Sequence, residues 1–352
     1  MRILVFGETY FNYTDSSVYA LKRLGHNVKV VYMPLLNKSK LSFCEYLRYK
    51  LKDKKFIHQF YNKCSLELVK VLQDFKPDVL LSINGNIYWE FINTEVLSKA
   101  KEMGTITVSW YVDTIKYYIA REQNLNKFDY VYSFEPNDIG WAKENYGIVV
   151  RYLPLGLAEE IYCNDTKDVE EVYDICFVGN KSDNRLEVLN CVAEYCDVNN
   201  KKMIVYGHYW HNKHWWQEAV ARKKFAEKYP SLIKYIKNEF IYGKDVAKLY
   251  LQSKICLNIH VSLHKGINPR TFEILGNGNF ELCDYRSDAK DFGLIDKHNI
   301  AMFEDADDCV RQIDYYLNND VMRKVIGKRG KETVEDKYTM KKLLASVLEE
   351  IK

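Results

Sequence analysis

Short runs of β-branched and apolar residues alternate along this chain with amphipathic stretches, and this alternation constrains its fold more than any other feature. The first apolar run is Ile3–Phe6, the helical stretch Ser16–Leu24 follows it, and Val28–Tyr32 is the next run. Such alternation is typical of βαβ units around a parallel sheet. The sequence therefore predicts an α/β protein built from Rossmann-like, doubly wound sheets.

The alternation lapses once, between residues 154 and 172, and then restarts with the apolar run Ile175–Val178. Pro154, Gly156 and the acidic polar stretch that ends at Glu171 are typical of a connection between domains. A chain of 352 residues is also long enough for two domains. We therefore predict a first domain over residues 1–155, a second over residues 172–335 and a C-terminal helix over residues 336–352.

Composition excludes several classes of protein. Apolar residues make up 47% of the chain, which is too many for a disordered or low-complexity protein. The 51 basic and 48 acidic residues leave a net charge of +3, which makes nucleic acid an unlikely partner. Nine cysteines without a CxxC pair are typical of reduced thiols, and no apolar run is long enough to span a membrane. We expect a cytoplasmic protein.

Ligands of doubly wound sheets bind outside the carboxyl ends of the strands, where helix N-termini face them. Two such domains facing each other would surround one interdomain cleft with these edges. The candidate site residues are therefore those of the strand-to-helix loops.

Two loops of the first domain carry candidate residues. Gly7 and Glu8 follow the first strand, where a binding loop and a simple turn are equally consistent with the sequence. Trp110, Tyr111 and Asp113 form the second loop, in which the carboxylate could bind a sugar hydroxyl or act as a general base. Alternatively, Asp113 caps the helix that follows. We assign both loops to the acceptor side.

A third loop opens the second domain with Gly179 and Lys181, and Arg185 follows four residues further on. A glycine after a strand and two cations at a helix N-terminus suit a diphosphate, because backbone N–H groups, the helix dipole and fixed positive charge converge there. The alternative is a solvated loop with ordinary surface cations.

The fourth loop combines the candidate donor-binding residues Lys265, Gly266, Asn268, Arg270 and Glu273 around the start of a helix at Pro269. Glu273 lies one turn inside this helix and can reach the hydroxyls of a nucleotide held at its N-terminus. Alternatively, Arg270 and Glu273 form an i,i+3 pair on a solvated helix face.

Three histidines at a spacing of three, His208, His211 and His214, lie among tryptophans in the segment 206–216. This spacing could bind zinc on a helix, although no cysteine or carboxylate accompanies it. Stacking on an acceptor sugar, contact with a membrane surface beside Arg222-Lys223-Lys224, and ordinary packing are the other interpretations.

The segment Gly266–Glu273, followed by Gly276 and Gly278, resembles the C-terminal signature of CgeB-like glycosyltransferases, which are group-one, GT-B-type enzymes. Other pieces of the resemblance follow in order, and it covers most of residues 105–340: Trp110-Tyr111-x-Asp113, Phe177-Val178-Gly179, Tyr206-Gly207 with Trp210, and Tyr242-Gly243.

The resemblance implies a GT-B architecture and a nucleotide-sugar donor, expected to be a UDP-sugar, on the second domain. Transfer would need neither a metal nor another cofactor, because positioned cations can stabilise the diphosphate leaving group. It also implies that the C-terminal helix crosses back to the first domain. The acceptor stays open among glycans, lipid-linked sugars, proteins and small molecules, and the oligomeric state stays open as well.

The same resemblance implies roles for individual residues. Glu273 matches the second Glu of an E-x7-E motif, which binds the ribose, whereas the first position of that motif is Lys265, a departure from the pattern. The other implied roles are the diphosphate for Arg270 with Lys181 and Arg185, the base pocket for Tyr242 and Gly243, and the reacting hydroxyl for Asp113.

Three other functions remain in view. A sugar epimerase shares the two-domain architecture and needs no acceptor. A non-catalytic nucleotide- or sugar-binding protein would account for the missing first Glu. A DNA glycosyltransferase is disfavoured by the nearly balanced charge.

Overall fold

The computed structural model describes residues 1–9, 12–33, 42–84, 92–117, 125–162, 169–208, 210, 215–261 and 266–352, and of residues 215 and 216 only the backbone. The chain divides into two units. The first comprises Met1–Pro154 together with Met340–Lys352, and the second comprises Leu155–Thr339.

The first unit contains a parallel sheet of six strands in the order β2-β1-β3-β4-β5-β6. Its strands are β1 (Arg2–Gly7), β2 (Asn27–Tyr32), β3 (Val79–Ile83), β4 (Ile106–Tyr111), β5 (Tyr130–Ser133) and β6 (Arg151–Tyr152). Its helices are α1 (Tyr13–Arg23), α2 (Phe43–Lys50), α3 (Lys54–Phe75), α4 (Thr94–Glu102), α5 (Asn137–Tyr146) and, from the other end of the chain, α13 (Met340–Glu350), with 3₁₀ turns at Ile115–Tyr117 and Leu125–Lys127.

The second unit contains another parallel sheet of six strands, in the order β12-β11-β10-β7-β8-β9. Its strands are β7 (Tyr173–Val178), β8 (Met203–Tyr206), β9 (Ile236–Lys237), β10 (Ser253–Asn258), β11 (Glu281–Asp284) and β12 (Ala301–Phe303). Its helices are α6 (Glu159–Tyr162), α7 (Asp183–Val198), α8 (Trp215–Lys228), α9 (Lys244–Leu251), α10 (Pro269–Gly276), α11 (Ala306–Leu317) and α12 (Asp320–Lys337), with 3₁₀ turns at Leu232–Lys234 and Ala289–Phe292.

Each sheet is apolar in its middle because helices cover both of its faces. All five residues of β3 are buried in the first unit, and the second unit buries Ile175, Phe177 and Leu257 in the same way. The predicted α/β class with two doubly wound parallel sheets is confirmed. None of the described helices is long and apolar enough to span a membrane.

The C-terminal helix α13 packs within the first unit. Leu344, Val347 and Leu348 are buried there, and the Glu350 carboxylate accepts a hydrogen bond of 2.7 Å from the Tyr132 hydroxyl. Glu350 also forms a salt bridge of 2.5 Å with Arg151 on β6. The helix begins at Met340, four residues later than the C-terminal segment predicted from residue 336, because Lys337 still belongs to α12.

The predicted connection at residues 154–172 is packed where the structure describes it. Leu155 and Leu157 are buried, and the Leu157 amide donates to the Tyr338 carbonyl over 2.7 Å. The Leu157 side chain lies so close to Gly276 on α10 that a Cβ there would come within 2.5 Å of it. Residues 155–162 therefore belong to the second unit.

The apolar pair at residues 240 and 241 also predicts a strand from the sequence, and this prediction is wrong. Pairing with β8 occurs instead at Ile236–Lys237, and no strand covers residues 240 and 241. Phe240 is 43% exposed, so its ring lies at the surface and not in the interior of the sheet.

Candidate functional site

The strand order places the expected site of the second unit between β7 and β10. In this sheet, β8 and β9 continue from β7 on one side, whereas β10, β11 and β12 extend on the other. Ligands of doubly wound sheets bind at the carboxyl ends of the strands where the order reverses in this way. The loops that follow β7 and β10 contain the third and fourth predicted loops.

The loop after β7 is held by two close backbone approaches. The Gly179 amide donates to the Tyr206 carbonyl over 2.8 Å, and a Cβ on Gly207 would lie 2.0 Å from the Gly179 carbonyl oxygen. Gly207 also has φ +155°, which side chains rarely adopt. The Asn180 side chain accepts a hydrogen bond of 3.0 Å from the His208 amide. Lys181 follows as an exposed side chain.

Arg185 links the β7 loop to the end of β10. Its side chain is buried, its Nε donates to the Ile259 carbonyl over 2.9 Å, and its Nη1 donates to the Asn180 carbonyl over 2.8 Å. The guanidinium also lies 5.5 Å from the Phe177 ring centroid. Burial, and then the nearby charge of Arg270, lower the pKa of Arg185 to about 9.

Arg270 stands in the first turn of α10. Asn268 caps this helix with its side chain, and Pro269 occupies the first turn, where its missing N–H costs nothing. In the described part of the chain, neither Arg185 nor Arg270 forms a salt bridge. Two guanidinium groups near helix N-termini, with no carboxylate among the described residues at salt-bridge distance from either, favour the binding of an anion.

A buried polar network holds the start of α10 against the sheet. The Asn258 side-chain nitrogen Nδ2 lies within hydrogen-bond distance of Asn268 Oδ1, Thr271 Oγ1 and Glu281 Oε1, at 3.0, 3.1 and 2.7 Å. The side-chain Nδ2 of Asn268 donates to Asn258 Oδ1 over 2.8 Å, and the Thr271 hydroxyl donates to Glu281 Oε1, also over 2.8 Å. Burial raises the pKa of Glu281 to about 7. Sequence analysis missed Asn258 and Glu281.

His260 is another residue of this site that sequence analysis missed. Its ring is buried, and Nδ1 lies 2.8 Å from Asp284 Oδ1, which also accepts the His260 amide over 2.7 Å. Nε2 accepts a hydrogen bond of 3.3 Å from the Asn268 amide. An Nε2 that accepts carries no proton, and burial lowers the pKa of this imidazole. Its position directly after a strand was the available signal.

Glu273 lies one turn into α10 and is half-buried. Burial raises the pKa of Glu273, whereas the charge of Arg270 and a hydrogen bond with Tyr162 act in the opposite direction. The alternative interpretation, in which Arg270 and Glu273 form a pair on a solvated helix face, therefore does not describe Glu273. Gly266 is buried and its carbonyl accepts a bond of 3.4 Å from Arg286, whereas Lys265 lies outside the described residues.

An aromatic surface follows β8 and β9. His208 and Phe240 stack with their ring centroids 4.0 Å apart, and the Tyr242 ring lies 5.6 Å from Phe240. Phe240 and Tyr242 are 43% and 48% exposed. Gly243, with φ +52°, precedes the first residue of α9. A flat ring such as a nucleobase can stack on such a surface.

The predicted histidine and tryptophan cluster falls mostly outside the described residues, because residues 209 and 211–214 are not described. Trp210 is fully buried and meets the Phe177 ring edge-on, with the centroids 6.2 Å apart. For Trp210, ordinary packing is therefore the correct interpretation.

In the first unit the strand order reverses between β1 and β3, and Glu8 directly follows β1. Glu8 is half-buried, and its Oε1 is buried without a hydrogen-bond partner among the described residues. Burial, and then the charge of Asp113, raise the pKa of Glu8 to about 7. Gly7 is buried against α1, since a Cβ there would lie 2.4 Å from Thr14 Oγ1.

Asp113 belongs to a turn that a buried aspartate organises. Its Oδ1 accepts the Thr114 amide over 2.8 Å. The Asp138 carboxylate accepts the Thr114 hydroxyl over 2.6 Å and the Ile115 amide over 2.9 Å. Asp113 is half-buried near Glu8. Asp138, rather than Asp113, accepts most of the hydrogen bonds that hold the start of the following turn.

The positions of Trp110 and Tyr111 contradict their assignment to the acceptor side. Both side chains are fully buried, and the Trp110 indole donates to the Leu153 carbonyl over 3.3 Å. They are the last residues of β4, a strand inside the sheet whose two faces are covered. Neither aromatic ring therefore offers a surface to an acceptor.

The comparisons with known proteins agree with this geometry. A protein family described as glycosyl transferase-like matches residues 190–349. This match includes α10 with Arg270 and Glu273, and also most of α7. No relative of the sequence is found among the curated proteins.

Solved structures share the fold over the whole chain. A sucrose-phosphate synthase from Thermosynechococcus elongatus has a TM-score of 0.63 at 12% identity, covering 100% of this chain and 99% of that one. A glycosyltransferase from Rickettsia africae has a TM-score of 0.63 at 14% identity, covering 99% and 97%. HepE from Anabaena, solved with UDP and glucose, has a TM-score of 0.65 at 8% identity, covering 100% and 99%.

At these identities the solved structures establish the fold, which is GT-B, and the family match over residues 190–349 supports a glycosyltransferase activity. The prediction of a glycosyltransferase is confirmed. The roles of individual residues, and the domain limits drawn from sequence, stay predictions.

Proposed function

We propose that this glycosyltransferase takes its sugar from a nucleoside diphosphate sugar, with UDP as the nucleotide, and that it is a CgeB-like member of its group. The observation that carries the proposal is the pair of guanidinium groups of Arg270, in the first turn of α10, and Arg185, which donates to the Ile259 carbonyl just after β10. HepE, which shares the fold, was solved with UDP and with UDP-glucose, and this supports the choice of UDP.

In this proposal the diphosphate lies against Arg270, the first-turn amides of α10 and the exposed Lys181. Arg185 already donates to two carbonyls, so it contributes charge and holds the β7 loop beside the anion. The base stacks on Tyr242 beside Gly243, and Glu273 accepts hydrogen bonds from the ribose. The charge that develops on the leaving diphosphate is stabilised by these cations and by the helix dipole.

The same cations are the reason to propose transfer without a metal ion. In the described part of the chain, no three His, Cys, Asp or Glu side chains lie together in a way that could hold a metal. Fixed arginine and lysine charges can do the work that a cation would otherwise do at the diphosphate.

The first unit supplies the acceptor-side groups. Glu8 titrates close to neutral pH, so its carboxylate can take a proton from an acceptor hydroxyl, and Asp113 lies near enough to act on its pKa. We propose Asp113 and Glu8 as the pair that assists at the reacting hydroxyl.

A nucleotide panel tests the donor site. Melting curves are recorded with UDP, GDP, ADP, CMP and dTDP in the presence of EDTA. A ligand at 100 times its dissociation constant adds roughly 2.7 kcal/mol to the free energy of unfolding. We expect a shift for UDP, and we expect Arg270→Ala to abolish it. Arg311→Ala, which removes an exposed arginine of α11, is the matched control and should keep the shift.

Product analysis separates the alternatives. Release of UDP and free glucose from UDP-glucose, with water as the acceptor, supports a transferase, whereas conversion to an isomeric UDP-sugar supports an epimerase. UDP binding without turnover, with any acceptor class, supports a binding protein. Absence of a shift with every nucleotide refutes the donor site.

A further inference from the structure

Helix α2 and the residues that follow it expose three large apolar side chains. Phe43, Leu47 and Leu51 are 76%, 43% and 78% exposed. None of the residues of α2 is buried. Surface apolar residues are common one at a time, but three in a regular spacing on one element mark a contact surface. We call Phe43, Leu47 and Leu51 the apolar stripe.

The spacing puts the apolar stripe on one side of the helix. Successive residues turn by about 100°, so positions four apart differ by about 40°, and Phe43 and Leu51 lie within about 80° of each other. Tyr49, which packs against the core of the first unit, points to the opposite side. The helix is thus attached to the protein by one face and presents the apolar stripe on the other.

Positive charge surrounds the apolar stripe. Residues 42–55 contain five basic and two acidic residues, a net charge of +3, which equals that of the whole chain. Both acidic residues act as helix caps: Glu45 completes the capping box of α2, and Asp53 caps α3. Arg48 forms a salt bridge with Asp53. The other four basic residues are exposed, and they are Lys50, Lys52, Lys54 and Lys55.

These observations favour one kind of partner. A symmetric contact with a second copy would bring two surfaces of net charge +3 together, which opposes it. An interfacial helix on an anionic membrane combines apolar side chains that enter the lipid boundary with lysines that meet the headgroups. We propose that α2 and the first turn of α3 dock this protein on an anionic phospholipid surface.

In this arrangement Phe43, Leu47 and Leu51 enter the boundary between headgroups and acyl chains, and the lysines contact lipid phosphates. This surface is far along the chain from Arg222-Lys223-Lys224, the segment beside which the sequence suggested membrane contact. It involves no residue of the donor site, so its test does not depend on nucleotide binding.

Vesicle flotation tests the proposal with the full chain. Wild-type protein should float with vesicles of phosphatidylcholine and phosphatidylglycerol, but not with phosphatidylcholine alone, and added salt should weaken the binding. The variant Phe43→Ser/Leu47→Ser/Leu51→Ser should bind at least about tenfold more weakly, a loss of ~1.4 kcal/mol. Lys50→Gln/Lys54→Gln/Lys55→Gln should weaken binding and remove its dependence on salt.

The control variant is Val198→Ser/Val321→Ser, which removes two exposed apolar residues of the second unit, 84% and 78% exposed, and should float like wild type. Melting curves check that all variants fold. Equal flotation of the stripe variant and wild type would overturn the proposal. So would a wild type that never floats, or one that forms a dimer which the stripe variant dissociates.

Discussion

Replacing Glu8 by Gln removes a carboxyl group whose pKa is raised to about 7, first by burial and then by the charge of Asp113. In the unfolded chain this carboxyl titrates near 4.5. The protonated form is therefore favoured by folding. Its contribution to stability is fully present below pH 4.5 and is lost as the pH rises through about 7.

The size of this effect follows from the shift. The rise from 4.5 to about 7 corresponds to roughly 3 kcal/mol at about 1.36 kcal/mol per pKa unit. Because Glu8 is only half-buried, solvent screening reduces this to roughly 1–2 kcal/mol. Between about pH 5 and pH 8, wild type should lose this amount relative to Glu8→Gln.

Urea unfolding of both proteins at several pH values measures the difference. Glu45→Gln is the control, because hydrogen bonds from Ser42 hold the pKa of Glu45 below its usual value and its contribution should not change between about pH 6 and pH 8. Asp113→Asn should lower the pKa of Glu8. The titration of Glu8 is followed by ¹³C NMR of its side-chain carboxyl peak, which is identified by its absence from the spectrum of Glu8→Gln. A stability difference between wild type and Glu8→Gln that stays constant with pH would refute the reasoning.

Two further predictions concern the donor loops. Gly207→Ala should destabilise the protein by about 3 kcal/mol or more in chemical unfolding, because its Cβ meets the Gly179 carbonyl at 2.0 Å. Gly104→Ala, at φ +71° with no atom within 4 Å, should cost only about 1 kcal/mol. His260→Asn removes the acceptor for the Asn268 amide and should weaken UDP binding about tenfold in calorimetry, a loss within the usual cost of an unpaired buried group. His260→Gln places an oxygen near the Nε2 position and should restore most of the affinity. Equal affinities of the two His260 variants would contradict this role.

Local chemistry explains what could be predicted from sequence. An Asn cap followed by Pro is a helix start wherever it occurs, and the glycines after the strands mark loops that approach other backbone closely. For this reason the sequence alone indicates a candidate site in the segment from Gly266 to Glu273. The alternation of strands and helices likewise predicts both sheets.

Burial explains what could not be predicted. Trp110 and Tyr111 end a strand, and sequence alone does not tell whether the last residues of a strand lie inside the sheet or at its edge. Glu281 is an acid that the sequence would place on a surface, yet it is buried against Asn258, which lies 23 residues away. Hydrogen bonds between such distant residues depend on strand order, which periodicity does not reveal.

The polar network beneath α10 accounts for how two arginine side chains are held near each other. Holding Arg185 in the interior near Arg270 is unfavourable, which is why the pKa of Arg185 falls to about 9, with burial as the larger cause. The bonds among Asn258, Asn268 and Thr271 fix the helix start and thereby keep the two charges near each other. A diphosphate would relieve this repulsion, so part of its binding energy would come from the repulsion between the two arginines. Arg270→Ala, the variant expected to abolish the shift with UDP, should therefore lose little stability when nucleotide is absent, because relief of the repulsion with Arg185 offsets the lost attraction between Arg270 and Glu273. A substitution that lost both the shift and the stability of the empty protein would instead mark Arg270 as a structural residue.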